Sequence, residues 1–325
     1  MYKKLITLIM ITVCAGRIFS QDIDLFKMLE EESSKENKTR TNYTTATFKS
    51  TRLINGHTVE TLGKKILDFR ISHRFDKFSD GFYEMFGLDH AKMRIGLDYR
   101  LTDKFMFGLG RSTYEKQYDG FFKYKIFRQS TGYKKMPVTI DFMASVMRRR
   151  DTAALISELI SNRSYSAKDI PYGSKFYYCF QLIIGRKFSE HTSLQIMPTL
   201  IHNNIVKKVS DPNNNIAIGI GGRQKISKRL SINGEYYYVL PAYKFEGTTN
   251  SLSFGVDIET GGHVFQLHFT NSMGMTERTF IARTQKEGGQ WSKGDINFGF
   301  NISRVFVIGK KKTNSKYKVA DQGQL

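Results

Sequence analysis

Cysteine, proline and tryptophan are all scarce in this chain of 325 residues, with 2, 5 and 1 respectively. So few cysteines exclude a disulfide-stapled scaffold. Cys14 lies in an N-terminal segment read below as removable, which leaves Cys179 without an intramolecular partner. Acidic residues are also short, with 30 Asp+Glu against 50 Lys+Arg and a formal charge of +20. Long apolar runs are missing too: beyond residue 20 no stretch approaches the roughly eighteen apolar residues of a membrane-spanning helix. What is present is 25 Phe, 17 Tyr and 27 Gly within a 40% hydrophobic composition, which excludes a disordered chain and favours strands over helices.

A strongly basic chain invites a nucleic-acid reading, and the location of the charge argues against it. Lys3, Lys4 and Arg17 flank the apolar run 5–15, and no acid precedes Asp22. This is the layout of a secretory signal peptide over residues 1–20, and its removal lowers the charge to about +17. The remaining charge is spread along the chain, concentrated only at Arg148-Arg149-Arg150 and Lys310-Lys311-Lys312, with no helix-turn-helix, zinc-finger or RNP pattern beside them. No nucleic-acid partner is expected. An exported chain without a membrane helix is either a soluble secreted protein or a membrane β-barrel.

From residue 64 onward, apolar and polar residues alternate with a period of two. Met93, Ile95, Leu97, Tyr99 and Leu101 share one face, with Arg94, Gly96, Asp98 and Arg100 on the other. Ile296, Phe298, Phe300 and Ile302 likewise oppose Asn297, Gly299, Asn301 and Ser303. A soluble sandwich also alternates. Here the segments are long and uniform, the polar faces carry both signs of charge together with glycine, and aromatics recur near segment ends (Tyr99, Phe105, Phe188, Tyr236, Tyr238, Phe306), as an interfacial girdle requires. The fold class expected is all-β, a closed antiparallel transmembrane β-barrel in the cell outer membrane, surrounded by outer-membrane lipid.

Connections alternate short and long, and short turns belong on the periplasmic side. Counting back from the end gives twelve strands near 65–75, 91–101, 104–113, 118–128, 137–147, 174–188, 192–203, 215–226, 230–240, 250–258, 262–270 and 294–308. The domain order expected is a signal peptide at 1–20, an N-terminal periplasmic or plug segment at 21–63, a barrel at 64–308 and a basic tail at 309–325. The strand-like piece 47–55 stays outside the wall, because including it would give an odd count.

The runs Thr47-Phe48-Lys49-Ser50-Thr51-Arg52-Leu53-Ile54-Asn55-Gly56-His57, Leu67-Asp68-Phe69-Arg70-Ile71-Ser72-His73-Arg74-Phe75, Glu235-Tyr236-Tyr237-Tyr238-Val239-Leu240-Pro241 and Glu259-Thr260-Gly261-Gly262-His263-Val264-Phe265-Gln266-Leu267-His268-Phe269-Thr270-Asn271-Ser272 resemble an uncharacterised family of Bacteroidota outer-membrane β-barrels, a domain of unknown function. The resemblance covers nearly all of the mature chain. It implies fold and location and carries no activity. Against the family's usual end, the charged tail is an extension, which makes Phe306 the aromatic presented to the barrel-assembly machinery.

No cofactor or metal signature occurs, and the chain reads as a non-enzyme: Cys-x-x-Cys-His, Gly-x-Ser-x-Gly, His-Glu-x-x-His and phosphate-loop patterns are all lacking. His268, Asn271 and Ser272 are close in sequence, which keeps an outer-membrane lipid hydrolase as a minor enzyme alternative. By strand parity the lumen receives Arg70, Arg74, Arg94, Arg100, Lys123, Lys125, Lys187, Arg223 and Lys225 against Asp68, Asp98, Asp141, Glu235, Asp257 and Asp295, with His268 beside them. Two readings stand side by side: a salt-bridge network filling a closed barrel, and a porin-like pore whose cationic excess favours a small anionic solute. A closed barrel would serve as a membrane anchor for a periplasmic protein partner, engaged through residues 24–30 and the tail.

Overall fold

The computed structural model describes residues 40–150, 172–206, 208, 210–286 and 289–308. The expected signal at 1–20, the segment 21–39 and the tail 309–325 lie outside the described residues. Two compact units divide the chain. In the smaller, strand β1 (Thr41–Tyr43) pairs antiparallel with β6 (Ser130–Gly132), and the Arg128 guanidinium lies 5.1 Å from the Tyr43 ring. Between the expected segments 118–128 and 137–147 the alternation implies only a connection, and β6 forms within it. Three-residue strands are too short to show alternation.

The larger unit is the barrel. Among the described residues its wall has twelve strands: β2 (Ile66–Lys77), β3 (Ala91–Arg100), β4 (Phe105–Ser112), β5 (Gln117–Phe127), β7 (Thr139–Arg149), β8 (Phe176–Lys187), β9 (Thr192–Asn203), β10 (Asn214–Lys225), β11 (Leu230–Val239), β12 (Ser251–Thr260), β13 (His263–Thr270) and β14 (Asn297–Val307). Each pairs antiparallel with its neighbours in sequence, and β14 closes on β2, so that no edge is left exposed. Twelve strands and closure are what the alternation and the turn lengths imply. Strand ends differ from the expected ones by two or three residues in β2, β7, β8, β12 and β14.

The pleat sends alternate side chains to opposite faces, and burial sorts them in the reverse of a soluble protein. On β3, Arg94, Gly96 and Asp98 are buried inside, while Met93, Ile95 and Leu97 face out, 36–46% exposed. An exposed apolar face this continuous needs hydrocarbon around it.

The inside is not uniform. Met106, Phe121, Met143, Met147, Tyr177, Cys179, Ile183, Met197 and Ile201, all buried, make the lumen of β4, β5 and β7 to β9 apolar. On the opposite arc, β12 to β14 with β2 and β3 present arginine, aspartate, asparagine, serine and glutamine, equally buried.

Candidate functional site

The lumen is occupied by residues 46–62. This segment reverses direction in a tight hairpin: the Leu53 N–H donates to the Gly56 carbonyl at 2.8 Å, and the Thr58 N–H donates to the Thr51 carbonyl at 3.0 Å. Lys49 reaches Lys228 O and the Glu259 carboxylate, and Leu62 O accepts from Arg100 at 2.7 Å. Both ends of the hairpin therefore sit at the barrel end that carries the short turns 101–104, 226–229 and 261–262.

Backbone outside a sheet has no ladder to satisfy it. The wall supplies partners instead. The Glu235 carboxylate accepts from the N–H groups of Asn55 at 2.8 Å, Gly56 at 3.1 Å and Ile54 at 3.4 Å, a concave amide arrangement that suits an anion. Carbonyls are met by donors from all round the barrel. Gln266 donates to Leu53 O at 2.8 Å, Asn301 to Ile54 O at 2.9 Å and Gln195 to His57 O at 2.8 Å. Lys123 donates to Thr58 O at 2.9 Å, Lys125 to Val59 O at 2.7 Å, and Arg223 to both Ala46 O and Thr47 O at 2.9 Å. Bonds with a charged partner contribute about 1.5–3 kcal/mol each.

Apolar contacts fix the register of the hairpin. Leu53 sits over Gly221, where a Cβ would lie 2.5 Å from its Cδ2, and Val59 over Gly185, where a Cβ would lie 2.8 Å from its methyls. These two positions require glycine because the hairpin approaches the wall that closely.

A second insertion comes from the opposite end. The long connection between the expected segments 262–270 and 294–308 implies an outside loop; in the structure, Arg278, Thr279, Phe280, Ile281 and Ala282 are buried in one wide helical turn. Phe280 packs edge-on against Tyr237 at 5.2 Å. Glu277 Oε1 lies 3.1 Å from Arg52 Nη1 and 3.4 Å from His57 Nε2, so this loop meets the tip of the hairpin. Arg278 stacks on Tyr177 at 3.7 Å, donates to Asn203 Oδ1 at 3.1 Å and pairs with Glu115 at 2.8 Å. Burial alone would raise the Glu115 carboxyl, but Arg278, with Arg283 and Arg149, outweighs it and holds the group down to about 2.

The residues expected in the lumen are found as follows. Asp68 accepts from Arg70 at 2.9 Å and from the Ser303 hydroxyl; Arg70 also reaches Ser50 and Thr51, each at 2.9 Å. Arg74 donates to Asn55 Oδ1 at 2.8 Å and Asn301 Oδ1 at 3.1 Å. Arg94 grips both oxygens of Asp119, and Asp98 lies 3.5 Å from the Thr51 hydroxyl. Asp257 accepts from Gln266 at 2.9 Å, Lys125 is 3.7 Å from Asp141, and His268 is buried against Gly255 and Gly299. Lys187 instead pairs with the exposed Glu190, and Asp295 accepts from Ser79 outside the strands.

The hydrolase grouping is not assembled. Asn271 is engaged by Leu252 N, Asn250 O and Gly289 O, and Ser272 Oγ hydrogen-bonds nothing among the described residues, His268 included. The strand pattern does not mark Arg52, His57, Glu115, Asp119, Glu277 or Arg278 as members of the buried network. Asp119 has the right parity, while Glu277 and Arg278 fall in a loop where parity says nothing.

The model of the family described as a membrane bound beta barrel domain (DUF5777) matches residues 48–306. The chain belongs to this family. The match begins inside the hairpin, so the family domain includes the lumen occupant as well as the wall. No curated protein matches. Among solved structures, the chain is similar to the NanC porin at 8% identity over 74% of this chain and 99% of that one, with a TM-score of 0.44. It is similar to the KdgM porin at 10% over 74% and 99%, TM-score 0.42. It is also similar to the COG4313 outer membrane channel from Pseudomonas putida F1, at 10% over 76% and 98%, TM-score 0.42.

Proposed function

We propose that this protein is a porin-like barrel of the cell outer membrane, closed at rest by residues 46–62, that conducts small anionic solutes when this hairpin withdraws. The carrying observation is the chemistry of the hairpin's attachment. Its backbone is held by side chains of Gln195, Asn301, Lys123, Lys125, Arg223 and Glu235, and water can replace each of these bonds. Once vacated, the polar arc would present arginines and lysines that favour anions.

The apolar arc favours a second reading. Phe280, Ile281 and Leu53 are buried among the methionines and tyrosines of β7 to β11, a contact that water does not replace. On that reading the barrel stays shut and anchors a periplasmic protein partner. In both readings the short turns face the periplasm, outer-membrane lipid surrounds the wall, and the barrel-assembly machinery recognises Phe306.

Planar-bilayer recordings separate them. The conduit reading expects brief openings from the full-length protein and a steady, anion-selective current after deletion of residues 46–62. Silence from both proteins, or cation selectivity, overturns it. A periplasmic protein retained by the full-length chain, together with silence, supports the anchor.

A further inference from the structure

One corner of the outward face is cationic. At the barrel end away from the short turns, Arg111 of β4 lies opposite Tyr118 of β5, Tyr118 opposite Arg148 of β7, and Arg148 opposite Phe176 of β8. Register partners share a face. These four point outward, because Ser112, Gln117, Arg149 and Tyr177 next to them in sequence are buried inside. Two residues deeper on the same face, Leu109 and Val146 are exposed members of the apolar belt. The row therefore stands about 7 Å beyond hydrocarbon-facing side chains, where a membrane interface begins. Across the same end, β2, β13 and β14 carry Phe75, Phe269 and Phe298 near their ends, packed at 5.6 and 5.8 Å.

The cations gather around two tyrosines. The Arg111 guanidinium lies 5.7 Å from the Tyr118 ring, and Arg150 donates to the Tyr118 hydroxyl at 3.3 Å. Arg148 lies 5.1 Å from the Tyr172 ring and Lys175 Nζ lies 5.9 Å from it, in the short turn that leads into β8. The acids closest in sequence to the row are engaged inside, Asp119 by Arg94, and Glu115 by Arg278, Arg283 and Arg149. Arg111, Arg148 and Lys175 have no acid at ion-pair distance among the described residues. From 148 to 175 the sequence holds six Lys+Arg and three Asp+Glu, so a positive excess persists with the whole connection counted.

Arginine grips phosphate through two parallel hydrogen bonds, and each basic residue beside an anionic lipid surface contributes about 1 kcal/mol. The apolar belt directly beneath the row favours a lipid over an acidic protein as the occupant. The two cation groups sit on strands two spacings apart, about 10 Å, which suits a headgroup with more than one phosphate. We propose that Arg111 and Arg150, with Arg148 and Lys175, bind the phosphates of lipid A, the phosphorylated glycolipid of the outer leaflet, while its acyl chains lie along Leu109 and Val146. The assignment rests on the short turns facing the periplasm, and it holds whether or not the barrel conducts.

The test uses the full-length protein in detergent, with bound lipid counted by native mass spectrometry. Diphosphoryl lipid A should bind at least about tenfold more tightly than its dephosphorylated form or phosphatidylglycerol. Arg111→Gln combined with Arg148→Gln should weaken it at least about tenfold, and Lys175→Gln alone about fivefold. Arg186→Gln with Arg304→Gln removes two cation–aromatic pairs at the other end and should change nothing. Equal binding of the three lipids, or an equal loss from the Arg186 and Arg304 changes, overturns the site. So does a dimer that the Arg111→Gln, Arg148→Gln protein fails to form, because a second copy would then cover the patch. Orientation is read separately on Lys228→Cys, in the turn 226–229, with a membrane-impermeant maleimide; Cys179 is buried. Labelling of intact cells overturns the orientation and the lipid A assignment with it. Labelling only after the outer membrane is opened, with no preference among lipids, overturns the site alone. If the double variant does not fold, Lys175→Gln, outside the wall, and the wild-type titrations still decide.

Discussion

Individual side chains in this lumen act chiefly by meeting the backbone of residues 46–62 or the loop that descends on it. Leu53, 1% exposed over Gly221, is the apolar pin of the hairpin. Leu53→Ala leaves a cavity worth about 2–4 kcal/mol, expected as faster hydrogen exchange confined to 46–62 because the wall keeps its own ladder. Glu277 couples the two insertions through Arg52 and His57, and is tied to the wall by the Ser145 hydroxyl of β7. Glu277→Ala strands a buried guanidinium at a cost of about 3 kcal/mol. Exchange should rise in the hairpin and in 272–286 together; a rise in only one of them would disprove the coupling. Parity on the strands identified Arg70, Arg94 and Glu235 as inward-facing. It could not indicate that Glu235 faces three N–H groups and Arg94 faces Asp119, because pairing across the lumen leaves no local pattern.

Strands announce themselves through a period of two that each carries alone, which is why β3 and β14 are readable residue by residue. Insertions carry no such period. The segment 47–55 looks like a strand yet lies off the wall, and Arg278 to Ala282 look like loop yet are buried. The loop is anchored where Arg278 meets Glu115, and the charge on Glu115 makes that anchor sensitive to acid. A carboxyl held down to about 2 from an ordinary 4.5 contributes its full stabilisation above the ordinary value. The contribution, roughly 3 kcal/mol, is lost as the pH falls from about 4.5 towards 2. Limited proteolysis of 272–286 should accelerate over that window, while Glu115→Gln should be cleaved quickly at every pH. A pH-independent wild type would count against the anchor.

For the whole molecule, the exposed apolar face requires a hydrocarbon surround. Leu109, 64% exposed in the middle of β4, tests this. Leu109→Arg should cost about 2–4 kcal/mol of barrel stability in lipid vesicles if it faces the bilayer midplane. The chain's single tryptophan, Trp291, packs edge-on against Phe254 at 5.9 Å and reports unfolding by fluorescence. No loss of stability would place Leu109 outside the membrane. Closure of β14 on β2 also sets the interior: a ring of this circumference has space that the wall side chains do not fill, and the two insertions fill it.

What the sequence by itself determined is the wall: twelve alternating segments, apolar outward, joined by short and long connections, and closed because an open edge in hydrocarbon would leave backbone groups unpaired. These are local properties, legible in any stretch of ten residues. Only the tertiary structure decided the interior. Asn55 meets Glu235 across 180 positions and Asn301 meets Ile54 across 247. Whether a lumen charge faces water, a backbone amide or another charge depends on which distant segments closure brings together.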